Sequence, residues 1–217
     1  GCKGGTVVKT FWDRTAKIYD RFMREDQEAY RQMYALIRPV VRHKQVLELA
    51  AGTGLIAKNI VHSADHIEAT DASEEMIRQA KQGAQSAKLH FSVQDMFFLP
   101  YAAQSFDVVI VSNALHIVPE PEKALAEIHR VLKNDGVLIA PTFTHANNHV
   151  RGRVKAFLMK LAGFHQYNKW SADGYLDFLQ EYGWKVQKSV VLKASFPLTY
   201  AECVKSEATS GGREESL

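Results

Sequence analysis

Short apolar runs alternate with segments of helical periodicity through most of this chain. The apolar runs predict buried strands at Val46–Leu49, Ile67–Thr70, Leu89–Val93, Val108–Ser112 and Val137–Pro141. The segments between them predict helices at Leu55–His62, Glu74–Ala84 and Pro121–Leu132. This alternation is typical of an α/β protein with a doubly wound, mostly parallel sheet and helices on both faces.

The last third of the chain follows a different pattern. Ser171 is a suitable N-cap for a helix over Ala172–Tyr182, and Gly183 is a suitable stop. Two β-rich runs follow, Trp184–Leu192 and Ser195–Val204, with a very short connection between them. A connection this short predicts a hairpin, and therefore an antiparallel pair at one edge of the sheet.

Two segments fall outside the alternation. Residues 6–42 predict a helical N-terminal cap, and residues 142–170, rich in aromatic and histidine residues, predict an insertion that covers the substrate. Both precede or follow strands whose carboxyl ends form the ligand-binding edge of such a sheet. We predict one domain over residues 1–205, with residues 206–217 as a flexible tail.

Composition narrows the function classes. The chain is 46% hydrophobic and 24% charged, with a net charge of +3, and its Lys and Arg residues are scattered among acids. This balance is typical of a globular protein without a nucleic-acid footprint. No apolar run is long enough for a membrane span, and the two cysteines suit neither a disulfide framework nor a metal site. We expect a cytoplasmic protein, and no particular oligomeric state is predicted.

The most informative segment is a glycine-bearing turn between the first strand and the first of these helices. It reads Glu48-Leu49-Ala50-Ala51-Gly52-Thr53-Gly54. Glycines lack the Cβ that would keep a ligand from the backbone, and the following helix offers free N–H groups. The turn also fits the loose dinucleotide fingerprint, and an ordinary strand-to-helix turn without a ligand is a further alternative.

Polar residues follow the next three strands. Asp71, at the end of the second strand, is placed to accept the two hydroxyls of a ribose; the alternative is a helix-capping acid, although Ser73 is also able to cap. Asp95 follows the third strand and suits an exocyclic amine such as that of adenine, unless it is simply a turn acid. Ser112 and Asn113 end the fourth strand, which lies next to the first if the strand order reverses there.

Taken together, these ordered motifs resemble a class I S-adenosylmethionine-dependent methyltransferase of the small-molecule branch that includes the ubiquinone/menaquinone-biosynthesis type. The resemblance rests on Glu48-x-Ala50-x-Gly52-x-Gly54, Asp71, Gln94-Asp95, Phe106-Asp107 to Asn113, Leu132-Lys133-x-x-Gly136, and the leading Trp12-Asp13-Arg14 to Asp20. It implies a Rossmann-like fold. One departure is Ala50, where the family often has its first glycine; this change is mild if the residue keeps a negative φ.

The resemblance also implies roles for individual residues. It implies S-adenosyl-L-methionine as the cofactor, with contacts from Tyr19, Glu48, Ala50, Ala51, Gly52, Gly54, Asp71, Ala72, Met76, Gln94, Asp95, Met96 and Asn113. Within this set, Asp71 holds the ribose, residues 94–96 frame the adenine, and Tyr19 closes over the methionine end. The partner is a small, partly apolar methyl acceptor.

Catalysis requires mainly that the acceptor be aligned and water excluded. His116, just past the fourth strand, is the predicted general base if the acceptor binds with a proton; a packed or solvent-facing histidine is the alternative. His145 and His149 are further candidates, and no metal site is predicted. Two other functions remain open, a nicotinamide-dependent oxidoreductase and a non-catalytic cofactor-binding protein of the same fold.

Overall fold

The computed structural model describes residues 26–145 and 168–207. Helix α1 covers residues 26–41. The other elements follow in chain order: β1 (Gln45–Leu49), α2 (Leu55–Ile60), β2 (His66–Asp71), α3 (Glu74–Lys81), β3 (Leu89–Val93), β4 (Phe106–Val111), α4 (Pro121–Val131), β5 (Leu132–Ile139), β6 (Thr142–Phe143), α5 (Ala172–Glu181), β7 (Trp184–Leu192) and β8 (Leu198–Lys205).

The described strands form one eight-stranded sheet in which β3, β2, β1, β4 and β5 are neighbours in that order and run parallel. The order reverses between β1 and β4, as expected from the sequence. Beyond β5 the sheet continues with antiparallel β8 and then β7 at the edge. The short strand β6 continues the path of β5 along β8. This is the predicted mostly parallel sheet with an antiparallel edge hairpin.

The central strands are apolar because both of their faces are covered. In β1, Val46 and Leu47 are both fully buried, but they belong to different hydrophobic clusters. Successive side chains of a strand point to opposite faces, so the two clusters lie on opposite sides of the sheet. One contains residues of α1, α2 and α3, and the other contains residues of α4 and α5. Helices therefore cover both faces, as predicted.

Two local predictions are corrected. The fifth strand was expected to begin at Val137, but β5 begins directly after α4 and includes Asn134, Asp135 and Gly136, residue types that are typical of a turn. The pairing register shifts there, from Phe106 with Leu132 to Val108 with Val137, so the turn residues form an irregularity in the strand. The hairpin connection covers residues 193–197, longer than expected, because β8 begins only at Leu198.

Helix α1 lies within the predicted N-terminal cap. Its first described residue, Asp26, accepts hydrogen bonds from the backbone and hydroxyl of Ser195 at 2.6 and 2.9 Å, which attaches α1 to the hairpin connection. Tyr34 of this helix is buried. Trp12 and Tyr19 of the predicted cap lie outside the described residues, as do residues 146–167 of the predicted insertion. No helix in the described part of the chain is long and apolar enough to cross a membrane.

Candidate functional site

The glycine turn follows β1 at the carboxyl edge of the sheet and is built from left-handed residues. Ala50, Gly52 and Gly54 have φ values of 51°, 56° and 76°. The turn is held by two backbone hydrogen bonds, from Ala51 N to Thr70 O and from Gly54 N to Ala51 O, both 2.9 Å long. It therefore has a fixed path, attached to β2 on one side and to α2 on the other.

The two glycines serve different purposes. A Cβ built on Gly52 meets nothing within 4 Å, so its surface is open to an approaching ligand. A Cβ on Gly54 falls 2.5 Å from Cζ of buried Phe91, so Gly54 is required for packing against β3. The sequence argument that both glycines give a ligand access fits Gly52; at Gly54 the close contact is with the protein itself.

Ala50 corrects an assumption made from the sequence. The change from glycine is mild only at negative φ, and Ala50 has φ of 51°. An L-residue in the left-handed region costs about 1–2 kcal/mol. The structure tolerates this strain because the turn on either side is held in place.

We therefore expect Ala50→Gly to stabilise the protein. Relief of the strain is partly offset by the extra backbone entropy of an unfolded glycine, which leaves a net gain of about 0.5–1 kcal/mol. Urea denaturation of both proteins measures it. Ala57→Gly is the matched control, because Ala57 lies inside helix α2, where glycine is unfavourable, and must destabilise. A loss of stability for Ala50→Gly would contradict the strained geometry.

Asp71, at the end of β2, points its carboxylate at this turn. Oδ2 accepts a hydrogen bond from Gly52 N at 2.8 Å, and Oδ1 accepts one from Ser73 N at 2.9 Å. The helix-capping role falls to Ser73, whose Oγ accepts from Met76 N at 3.2 Å at the start of α3. Asp71 is thus a carboxylate fixed in orientation by two backbone groups and placed beside the open face of Gly52.

The region after β3 continues the same edge. Gln94 N donates to Asp71 O at 3.1 Å, which joins the third strand end to the second. Asp95 Oδ1 accepts from Phe97 N at 2.9 Å, a contact expected of a turn acid. Met96 is partly buried against the hydrophobic cluster that includes Leu99. The adenine-framing roles of Gln94, Asp95 and Met96 stay predictions, as do the contacts expected of Ala72 and of Met76, which is 42% exposed.

Asn113 connects three elements just after β4. It is left-handed, with φ of 51°, a conformation that asparagine tolerates better than most residues. Its Nδ2 donates to Tyr30 Oη at 3.1 Å, and its Oδ1 accepts from Phe143 N at 3.0 Å. Asn113 was predicted from the sequence, but Tyr30 was not, since nothing in the pattern of α1 shows which of its aromatic residues faces the sheet edge.

Glu48 is the most unusual residue of the site. It is 2% exposed, and its Oε2 has no hydrogen-bond partner among the described residues. Burial raises the pKa of this carboxyl to about 8, against the opposing effect of a backbone hydrogen bond from Ala57, and the charge of Asp71 raises it further. Glu48 is therefore mostly protonated at neutral pH.

His116 lies further along the same edge, past β4. It is buried, and its Nδ1 is 2.8 Å from Thr142 Oγ1. Burial, with a smaller effect of His145, lowers the pKa of His116 to about 4. The imidazole is neutral at pH 7 and has a nitrogen lone pair, but it is a weak base. Its role as a general base stays a prediction.

A cleft of about 520 Å³ opens between α1 and α2. It is lined by Gln27, Tyr30, Arg31, Tyr34, Leu55 and Asn59. Leu55 directly follows the glycine turn, and Tyr30 contacts Asn113, so the cleft adjoins the carboxyl edge. The described residues contain no group of three or more His, Cys, Asp or Glu side chains that could hold a metal ion.

The structure thus places Glu48, the glycine turn, Asp71, Gln94, Asp95 and Asn113 at the carboxyl ends of four adjacent parallel strands. Comparison with known proteins is consistent with this arrangement. Residues 47–140 match the model of a methyltransferase domain. A demethylmenaquinone methyltransferase from Thermobifida fusca is 31% identical over 161 residues, which cover 71% of this chain and 68% of the relative. The chain belongs to the class I S-adenosylmethionine-dependent methyltransferases. Within them it falls in the ubiquinone/menaquinone type of branch.

Two further similarities, to a second relative and to a solved structure, show how much of each chain is matched. A demethylmenaquinone methyltransferase from Leptospira interrogans serogroup Icterohaemorrhagiae is 33% identical over 150 residues, 63% of this chain and 60% of that protein. The methyltransferase chain therefore spans about three fifths of the length of this relative. Magnesium protoporphyrin IX methyltransferase from Synechocystis PCC 6803, solved with bound S-adenosylhomocysteine, superposes with a TM-score of 0.68 at 18% identity, over 91% of this chain and 95% of its own. This likeness shows the Rossmann-like fold.

The residues of this methyltransferase chain suit the cofactor of the family, S-adenosylmethionine. The fixed carboxylate of Asp71 is an acceptor for vicinal hydroxyls. The open face of Gly52 leaves room for a ligand along the turn. The buried carboxyl oxygen of Glu48 without a partner, on the strand that leads into this turn, suits a cationic group. Tyr19, expected over the methionine end, lies outside the described residues.

Proposed function

We propose that this protein transfers a methyl group from S-adenosylmethionine to a small-molecule acceptor. The single observation that carries the proposal is the Asp71 carboxylate, fixed by Gly52 N and Ser73 N beside an open glycine turn at the switch point of the sheet. Family membership supports it. The comparisons give no support to the alternative of a nicotinamide-dependent oxidoreductase.

The chain's own residues have two tasks in this proposal. The cofactor supplies a methyl group that is already activated on a sulfonium, so the protein must orient the bound cofactor and exclude water. Asp71 and the glycine turn orient the cofactor from below. Tyr30, held by Asn113, and Tyr34 form the wall of the cleft from above.

A general base is needed only for an acceptor that binds with its proton. We keep His116 as the candidate, with Thr142 orienting its ring through the 2.8 Å contact at Nδ1. His145 is a second candidate near it, since its charge acts on His116. His149 lies outside the described residues.

The acceptor is proposed to be small and partly apolar. The named relatives are demethylmenaquinone methyltransferases, so the reduced ring of a demethylated prenylquinone is the first acceptor to test. The covering insertion, residues 142–170, stays a prediction. Its last residue, Trp170, stacks on Phe178 of α5 with ring centroids 4.6 Å apart, so this residue packs against a helix and is not proposed as part of the acceptor pocket. Cytoplasmic location and the lack of a nucleic-acid partner belong to the same proposal.

The test compares four ligands by thermal shift and calorimetry: S-adenosylmethionine, S-adenosylhomocysteine, NAD and NADP. Only the adenosyl ligands should raise the melting temperature, because a ligand that binds the native state stabilises it. Stabilisation by NAD or NADP alone would overturn the proposal. An acceptor panel with labelled methyl groups then separates an enzyme from a non-catalytic binding protein.

Asp71→Asn gives a sharper test of the site. The substitution keeps the size but removes the charge that strengthens hydrogen bonds from hydroxyl groups, and we expect S-adenosylhomocysteine affinity to fall by about 1–3 kcal/mol. Calorimetry measures the loss. Asp65→Asn, at the opposite end of β2, is the matched control and should bind normally. Equal affinity in the two variants would remove Asp71 from the site.

A further inference from the structure

Glu48 has an unusually isolated position. Its strand partners are Ala69 of β2 and Ile110 of β4, both fully buried and apolar. It shares a strand face with Val46, whose cluster includes residues of α1 and α2. Its carboxyl group therefore lies under the two helices that line the cleft.

The groups that face Glu48 give it little compensation. Helix α2 contributes only the backbone N–H of Ala57, and β2 contributes the negative charge of Asp71. From α1, Tyr34 interacts with it. Arg38, a cation of that helix that acts on Tyr34, donates from Nε and Nη2 to the carbonyl of Asn59 at 3.3 and 3.1 Å. One carboxyl oxygen thus has no partner among the described residues, and an ionised Glu48 would be a poorly compensated buried charge.

We propose that Glu48 exchanges a proton with solvent as the cofactor binds, carrying the proton in the free protein and releasing it when a cationic ligand occupies the site. This inference rests on the proposed function. S-adenosylmethionine carries a sulfonium charge, whereas its demethylated product does not. A nearby cation favours the ionised carboxyl, so the proton is lost to the buffer on binding of the cationic ligand and largely kept on binding of the product.

The consequence is selectivity between two ligands that differ by one methyl group and one charge. A site that becomes anionic only for the cation favours it over the neutral product, which lowers inhibition by that product. The preference for S-adenosylmethionine over its product should increase as pH rises toward 8, because less free energy is then needed to ionise Glu48. Glu48 is a specificity-determining residue in this proposal.

Calorimetry in phosphate and in Tris at pH 7 measures the number of protons exchanged. We expect the native protein to release about 0.5–0.9 proton with S-adenosylmethionine and clearly less with S-adenosylhomocysteine. The amino groups of both ligands also titrate near this pH. Subtracting the proton release measured for Glu48→Gln removes their contribution. This variant should release equal numbers of protons with the two ligands. At pH 8 its preference for S-adenosylmethionine over S-adenosylhomocysteine should be at least fivefold weaker than that of the native protein.

Glu68→Gln is the matched control. Glu68 is a carboxylate of β2 that bonds His66 and His90 instead, and its loss should leave proton release unchanged. Equal proton release with the two ligands in the native protein would overturn the inference while leaving the proposed function intact. Absence of binding by either adenosyl ligand would instead overturn the proposed function. The comparison of proton release with the two ligands uses only the native protein. It therefore tests the inference even if Glu48→Gln does not fold.

Discussion

Gly54→Ala is expected to destabilise the protein by about 3 kcal/mol. Two costs combine: an L-residue at φ of 76° loses about 1–2 kcal/mol, and an overpacked core loses a further 1–3 kcal/mol. The clash is with Phe91, whose ring would stand 2.5 Å from the new Cβ. That ring is buried against the sheet and Lys58 lies over it at 5.8 Å, so it has little room to move. Chemical denaturation measures the loss.

Gly52→Ala is the matched comparison for this prediction. Its φ of 56° carries a similar backbone strain, but its Cβ would enter open space. We expect a loss of only about 1–2 kcal/mol in stability, together with at least a tenfold loss of affinity for S-adenosylhomocysteine, since the new methyl group occupies the surface of the turn. Equal stability losses in the two variants would contradict the packing role of Gly54.

The different roles of these two glycines show what a sequence pattern leaves out. The spacing Gly52-x-Gly54 predicts a turn after a strand, and the turn is present. It does not show which glycine faces a ligand and which faces the core, because that depends on where β3 places Phe91. Contacts between residues far apart in the chain are set by tertiary packing, which local pattern does not encode.

The strands were predictable because burial on both faces makes most of their residues apolar. β1 and β4 are the clearest examples, and they are the neighbouring pair at which the strand order reverses. The irregularity at Asn134–Gly136 was not predictable, since residues typical of a turn also suit a bulge. The hairpin was predicted correctly, but its connection is longer because Asp26 of α1 binds Ser195 within it.

The candidate site likewise contains residues that the sequence indicated and features that it did not. Asp71, Asp95 and Asn113 were identified from their positions after strands and Gln94 from the family resemblance, and these positions meet at one edge of the sheet. Tyr30 was missed, because the contact with Asn113 joins residues 83 positions apart. The left-handed φ of Ala50 was also missed, since an alanine in the sequence does not indicate a positive φ.

Glu48 leads to the last prediction, on stability and pH. Its pKa is about 8 in the folded protein, against about 4.3 for an ordinary glutamate in the unfolded chain. The folded state binds the extra proton between these values, so stability from this group is fully present below the unfolded pKa and is lost as pH rises through 8. We expect its contribution to fall by about 3.5 kcal/mol between pH 5 and pH 8, with a slope of up to about 1.36 kcal/mol per pH unit.

Glu48→Gln should remove this dependence, because glutamine resembles the protonated side chain and does not titrate. The variant should match the native protein near pH 5 and exceed it at pH 8, in urea denaturation followed across that range. Glu181→Gln should keep the native slope, since Glu181 is an exposed carboxylate at the end of α5. Parallel curves for the native protein and Glu48→Gln would mean that Glu48 is ionised when buried. The cation-selective proton release proposed for it would then have no source.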